Sequence, residues 1–165
     1  MITRPKGPDE VLADRLADLG YVPVCEPLLR IHLDPKPIDC SGVQAVVFTS
    51  ANAVASFCKT NTDHGFAAFA VGHATAKVAR LNKFSVVYQG TKGAEALIAE
   101  ILDICSPEMG EILHVSGDEV KINIARALQE FGFKARREVV YRAEPVKKFS
   151  EPGFEALKKG TIDAV

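Results

Sequence analysis

Val43-Gln44-Ala45-Val46-Val47-Phe48-Thr49-Ser50-Ala51-Asn52-Ala53-Val54-Ala55-Ser56-Phe57 passes from an apolar run to a helical pattern within a few residues. Gln44–Thr49 is the length of a strand buried on both faces. Asn52–Lys59 carries helical spacing, with Ser50 placed as the N-cap. The same alternation continues downstream. Ala67–Val71, Phe84–Gln89, Glu111–Val115 and Phe133–Arg142 read as strands, and Thr75–Leu81, Ala94–Cys105 and Val120–Phe131 as helices. The helix over 94–105 is the clearest, because Ala94, Leu97, Ile98, Ile101, Leu102 and Cys105 share one face. Strands joined by helices imply a parallel sheet covered on both sides, and flavodoxin-like winding is the expected form.

Outward from this centre the pattern thins. Upstream, Pro8–Leu19 reads as a helix and Tyr21–His32 as a strand, irregular because of Pro23 and Pro27. Asp34–Gly42, with Pro35, Pro37 and Gly42, reads as a linker. Downstream, Phe154–Lys158 is helical and Ile162–Val165 begins another strand. Three helices are punctuated alike, by Leu19-Gly20-Tyr21, Phe131-Gly132-Phe133 and Lys159-Gly160-Thr161, each read as a left-handed glycine stop. The expected organisation is a central α/β domain over 43–142, linkers over 34–42 and 143–152, and an outer domain assembled from 1–33 and 153–165. Because the sequence stops inside an apolar strand, that outer domain is read as incomplete.

Composition narrows the function. The 165 residues are 47% hydrophobic and 25% charged, with a formal net charge of -1, which are ordinary globular values. A dedicated nucleic-acid binder would carry a basic excess, so nucleic acid is not an expected partner. No apolar run approaches the ~20 residues that span a bilayer, and Met1-Ile2-Thr3-Arg4-Pro5 is not the start of a secretory signal. Cys25, Cys40, Cys58 and Cys105 form no C-x-x-C pair and no metal spacing with a histidine, so reduced thiols in a cytoplasmic protein are expected. His32, His64 and His114 are isolated, and His73 in its turn is either a base or, as lone turn histidines more often are, a solvated group. A monomer without metal or coloured cofactor is the expectation.

Ligands of open α/β sheets sit at the carboxyl ends of strands. The first such turn, Thr49-Ser50-Ala51-Asn52, offers two hydroxyls and an amide to a carboxylate or phosphate. Simple helix capping explains Thr49 and Ser50 equally well. Gly72-His73-Ala74-Thr75 and Ser116-Gly117-Asp118 are the next two candidates, and capping again competes. Gly90-Thr91-Lys92-Gly93 lacks the spacing of a nucleotide loop, and neither a G-x-S-x-G elbow nor a G-x-G-x-x-G fingerprint occurs. Tyr141, at the end of the last central strand, is either a phenolic proton donor or an aromatic that closes the sheet edge. Arg4 either holds an anion or solvates the surface.

In order and spacing the chain resembles the uroporphyrinogen-III synthase family. The resemblance is carried by Ile2-Thr3-Arg4-Pro5, Leu19-Gly20, Pro27, Val47-Phe48-Thr49-Ser50-Ala51-Asn52-Ala53-Val54, Val71-Gly72-His73-Ala74-Thr75-Ala76, Ala94-Glu95-Ala96-Leu97, Gly117, Val140-Tyr141-Arg142 and Gly160-Thr161-Ile162-Asp163-Ala164-Val165. It implies two α/β domains joined by a two-stranded connection, and a lyase of tetrapyrrole (haem) biosynthesis. Such enzymes close the linear hydroxymethylbilane to uroporphyrinogen III, inverting the last pyrrole ring and losing water, with no metal or redox cofactor. On the matching positions, the resemblance makes Tyr141 the residue that assists departure of the hydroxyl. It makes Thr49, Ser50, Asn52, Gly72, Thr75 and Gly117 substrate-positioning residues, and Arg4 a weaker candidate for a carboxylate contact. A non-catalytic, flavodoxin-like binding module for an anionic ligand is the competing reading.

Overall fold

The computed structural model describes residues 1–5, 8–62, 64–90 and 93–165, so Thr91 and Lys92 of the glycine-bounded turn lie outside the described residues. The elements, in chain order, are α1 (Pro8–Asp18), β1 (Leu29–Leu33), β2 (Val43–Phe48), α2 (Ala51–Phe57), β3 (Ala67–Val71), α3 (Gly72–Leu81), β4 (Val87–Gly90), α4 (Ala94–Ile104), β5 (Glu111–Gly117), α5 (Ile124–Gln129), β6 (Ala135–Pro145) and α6 (Glu151–Lys158). A short 3-10 turn over Pro107–Met109 precedes β5. The strands form one sheet in the order β1-β6-β5-β2-β3-β4. Every pairing from β6 through β4 is parallel. β1 runs antiparallel to β6, because Val146 N–H donates to the Leu28 carbonyl while Asp34 N–H donates to that of Val140.

The chain divides into two compact units, Met1–His32 with Ala143–Val165, and Leu33–Arg142. The chain passes between them twice, along β1 and along β6. The segment read as a linker over 34–42 lies in the larger unit, where Ile38 is buried. The segment over 143–152 lies in the smaller one.

In the larger unit the parallel strands are covered on both faces. Val46, Phe48, Leu113, Val115 and Val140 pack with Ala53, Val54 and Phe57 of α2 and Ala79 of α3. Ala45, Val47, Phe69 and Ile112 pack with Leu97 and Ile101 of α4 and Ile124, Ala125 and Leu128 of α5. This explains why β2 reads as an unbroken apolar run: alternate side chains enter two separate cores, and Ala45 through Phe48 are all fully buried. Counted from β2, the parallel order is 3-2-1-4-5. That differs from the 2-1-3-4-5 order of flavodoxin and matches the doubly wound order in which the direction of winding reverses beside the first strand. The reversal falls between β2 and β5.

The glycine stops are present as read. Gly20, Gly132 and Gly160 have φ of +86°, +83° and +65°. Each closes its helix with a paired motif: Tyr21 N–H reaches the Leu16 carbonyl and Gly20 N–H that of Ala17, with the same pairs at Phe133/Gly132 and Thr161/Gly160.

Several elements differ from the sequence reading. Tyr21–His32 is strand only from Leu29, and Cys25 makes a single parallel bridge to Ile2. The prolines remove the amides that a longer ladder would need. α5 is shorter than 120–131, because Asn123 caps it by accepting from Arg126 N–H. β6 begins two residues later than read and extends to Pro145. Residues 162–165 form no strand, and Val165 is exposed.

In the smaller unit, Glu26 is buried to 2% exposure beside the start of α6. Its carboxylate accepts from Ser150 N–H at 2.9 Å and from the Ser150 hydroxyl. Ser150 in turn caps α6 by accepting from Gly153 N–H at 3.1 Å.

His114, in the middle of β5, is fully buried between Val47 and Arg137 in register. Burial pushes its imidazole down to about 4, the Arg137 cation adds to the push, and Asn123 opposes it. The folded ring therefore stays neutral where the unfolded ring, with its ordinary value of 6.5, already takes a proton. The stability is complete above that ordinary value and is lost as pH falls from there toward the folded value. By pH 5 this group should remove about 2 kcal/mol. Urea unfolding at pH 7.5 and pH 5 checks it: the loss should be clearly smaller in a His114→Asn variant, and equal losses would contradict the assignment.

Candidate functional site

The turn after β2 and the turn after β5 flank the point where the winding reverses, the position at which open α/β sheets leave a crevice. Three of the expected residues meet there. Ser50 caps α2, its Oγ accepting from Ala53 N–H at 3.2 Å. The same Oγ is hydrogen-bonded to the Tyr141 phenol oxygen at 2.9 Å. Tyr141 pairs with Gly117 across β5 and β6, just past a register shift between Ser116 and Gly117. Its ring lies against the Gly117 backbone: a Cβ built on Gly117 would stand 2.6 Å from Cζ and 2.9 Å from the phenol oxygen. Gly117 is thus required for close approach.

The backbone around Tyr141 is held at several points. Its carbonyl accepts from Asp118 N–H at 3.0 Å. The neighbouring Val140 carbonyl accepts from the buried Ser56 hydroxyl at 2.6 Å, so α2 and its cap grip β6 at two successive residues. Arg137, earlier on the same strand, donates to Ser116 Oγ at 2.8 Å, to the Gly117 carbonyl and to the Asp118 carbonyl at 2.7 Å. Sequence reasoning did not single out Arg137 or His114. Arg137 sits inside a strand with no motif around it, and its partners are mostly backbone carbonyls that carry no signature. Alternation along β6 places Arg137 on the same side as Ala135, and that was the available clue.

The other expected residues are placed as follows. Thr49 and Asn52 are half-buried on either side of Ser50. Gly72 opens α3 at φ +79° and lies one strand over, since Phe48 pairs with Ala70 two residues before it. Thr75 is only 5% exposed, so little of its side chain is open to a ligand. The surface of that turn is formed by exposed His73 and Ala74. Arg4 belongs to the smaller unit, where it is exposed at a groove of about 1040 Å³ lined by Ile2, Leu12, Leu16, Val22, Val24 and Ile162, among others. Among the described residues no group of three or more His, Cys, Asp or Glu gathers as a metal site. No described helix is long and apolar enough to cross a membrane.

A family model described as uroporphyrinogen-III synthase HemD matches residues 10–165. The chain belongs to the uroporphyrinogen-III synthase family. Solved structures with the same fold include uroporphyrinogen-III synthetase from Helicobacter pylori, at 24% identity and a TM-score of 0.59, covering 81% of this chain and 61% of that one. A mutant uroporphyrinogen III synthase from Thermus thermophilus matches at 18% identity and a TM-score of 0.59, covering 96% of this chain and 69% of that one. The wild-type Thermus enzyme matches at 18% identity and a TM-score of 0.50, covering 96% of this chain and 68% of that one. The chain therefore spans about two thirds of the length of these synthases. No curated protein sequence matches it. The family match does not favour a flavodoxin-like binding module.

The seat of Tyr141 on Gly117 has a measurable cost. Gly117→Ala should destabilise the protein by about 1–3 kcal/mol through overpacking. Most of that loss should vanish when the ring is also removed, in a Gly117→Ala, Tyr141→Ala pair. Urea midpoints of the four proteins give the coupling, and strictly additive effects would show that the ring and the glycine do not share the space.

Proposed function

We propose that this protein is a uroporphyrinogen-III synthase, a cyclising lyase that converts hydroxymethylbilane to uroporphyrinogen III and water. The match of the family model over residues 10–165 carries the reading. The cluster of Ser50, Gly117 and Tyr141 at the sheet's switch point supports it.

The substrate is flexible and bears many carboxylates, so the main task is to hold one folded shape. Thr49, Asn52, Gly72 and Gly117, with a smaller share from Thr75, position it through hydroxyls, amides and backbone. Arg4 contributes a carboxylate contact. Tyr141 assists the chemical step. Its O–H bond breaks as the terminal C–O bond breaks, the electron pair leaves with oxygen, and water departs. The resulting azafulvenium cation is attacked by the substituted carbon of the last ring to give a spiro centre. That centre opens and recloses with the ring turned round. The proton released when the closing carbon restores its pyrrole returns to the phenolate, so protons balance over the cycle. The protein is further proposed to work as a cytoplasmic monomer without nucleic acid or cofactor. Support comes from the near-neutral charge and from four cysteines that form no C-x-x-C pair.

The test is direct. Purified protein is given freshly made hydroxymethylbilane, the products are oxidised, and the porphyrin isomers are separated. Type III product in excess is expected, and only the uninverted isomer at the uncatalysed rate would overturn the reading. Tyr141→Phe keeps the ring but removes its proton. It should lower kcat by about 10²–10⁴-fold, the worth of a positioned acid, and let the uninverted isomer compete. An unchanged rate would make Tyr141 a structural aromatic and leave the overall activity standing.

A further inference from the structure

We infer that Ser50 acts as a positioning residue for the proton of Tyr141, donating to the phenol oxygen so that the phenol keeps its own proton for a bound substrate. The inference rests on Tyr141 as the proton donor proposed above. It replaces direct substrate contact as the role of Ser50.

Counting donors and acceptors leaves Ser50 able to play this role. A serine hydroxyl has one proton and two lone pairs. At Ser50 one lone pair takes the Ala53 N–H at 3.2 Å, which leaves its proton and one lone pair facing the Tyr141 oxygen at 2.9 Å, and the inferred role is the arrangement in which the serine gives that proton. A phenol that accepts on one side still has its proton to give on another. The reverse arrangement would use that proton inside the protein. The geometry leaves the oxygen little freedom to change partners. Gly117 lies under the ring, where an added Cβ would stand only 2.6 Å from Cζ, and Ser56 pins the preceding carbonyl at 2.6 Å. When the proton leaves, the oxygen becomes an anion and the bond from Ser50 becomes charge-assisted, so it strengthens. An interaction that strengthens only as the transition state forms raises kcat and leaves KM nearly unchanged.

Capping of α2 accounts for the bond from Ala53 and not for the bond to Tyr141. The two roles can be separated by substitution. Ser50→Thr keeps both. Ser50→Asp keeps the cap, since carboxylates are good N-caps, but has no proton to donate at neutral pH. Ser50→Ala loses both. The expected result is a fall in kcat of about 10- to 100-fold for Ser50→Ala and Ser50→Asp alike, the worth of a hydrogen bond to a charged group, with near-complete rescue by Ser50→Thr. Adding Ser50→Ala to Tyr141→Phe should cost nothing further. With tyrosines labelled at Cζ, one of the 3 tyrosine carbon resonances should move in Ser50→Ala and return in Ser50→Thr, which reads the contact without turnover. Full rate in Ser50→Asp would show that only the cap matters. Multiplied losses in the double variant, or a change confined to KM, would return Ser50 to direct substrate contact. Each of these overturns the inference while Tyr141→Phe stays slow. A full rate in Tyr141→Phe overturns the Tyr141 reading, and this inference with it.

Discussion

Parallel strands cannot be joined by tight turns, and the larger unit follows from that constraint. Each strand from β2 to β6 has to be reached by a crossover, and the crossovers need a helix-covered face on which to return. Both faces of the sheet are thereby covered, and the central strands become mostly apolar on both sides. Polar side chains are left mainly at the strand ends. The winding reverses once, between β2 and β5, and there the turns after these two strands part. Ser50 and Gly117 stand in those turns, and Tyr141 lies on the strand beyond. The position of the chemistry is thus a consequence of how the sheet is wound.

The same constraint explains what the buried interior tolerates. His114 and Arg137 are polar residues in neighbouring strands of one sheet, yet they are handled differently. Arg137 spends its guanidinium on Ser116 and on two carbonyls at the end of β5, where the strand bends out of register. His114 lies deeper and stays neutral. A second charge beside Arg137 in that layer would have no water to screen it.

Much of this was readable before any coordinates. The apolar run at Gln44–Thr49 announced a strand buried on both sides, and each of Gly20, Gly132 and Gly160 announced the end of a helix, because a residue without a side chain adopts the left-handed conformation there most readily. These are local signals, fixed by neighbours in sequence. The boundaries that went astray depend on partners far away. Tyr21–Leu28 has the β-branched and aromatic character of a strand, but among the described residues its pairing is an isolated bridge from Cys25 to Ile2. Within the candidate site the turns were legible as strand ends, and the cap at Ser50 followed from helix grammar. The bond from Ser50 to Tyr141 did not, because it spans 91 residues. The need for glycine at 117 comes from the ring of Tyr141, far downstream, and from a register shift that no periodicity records.

The smaller unit is built from two segments separated by the larger one, and its buried link joins Glu26 to Ser150, 124 residues apart. On a ribosome, the segment Met1–His32 emerges with an acidic group and several apolar side chains whose partners do not yet exist. The larger unit, continuous in sequence, can complete itself while synthesis proceeds. Its folding then does something for the waiting segment. A long floppy loop is replaced by a rigid one whose two ends leave side by side on β1 and β6, so the entropy of closing that loop has already been met when Ser150 arrives. The topology thereby lowers the entropy cost of joining the two segments of the smaller unit once the larger unit has folded.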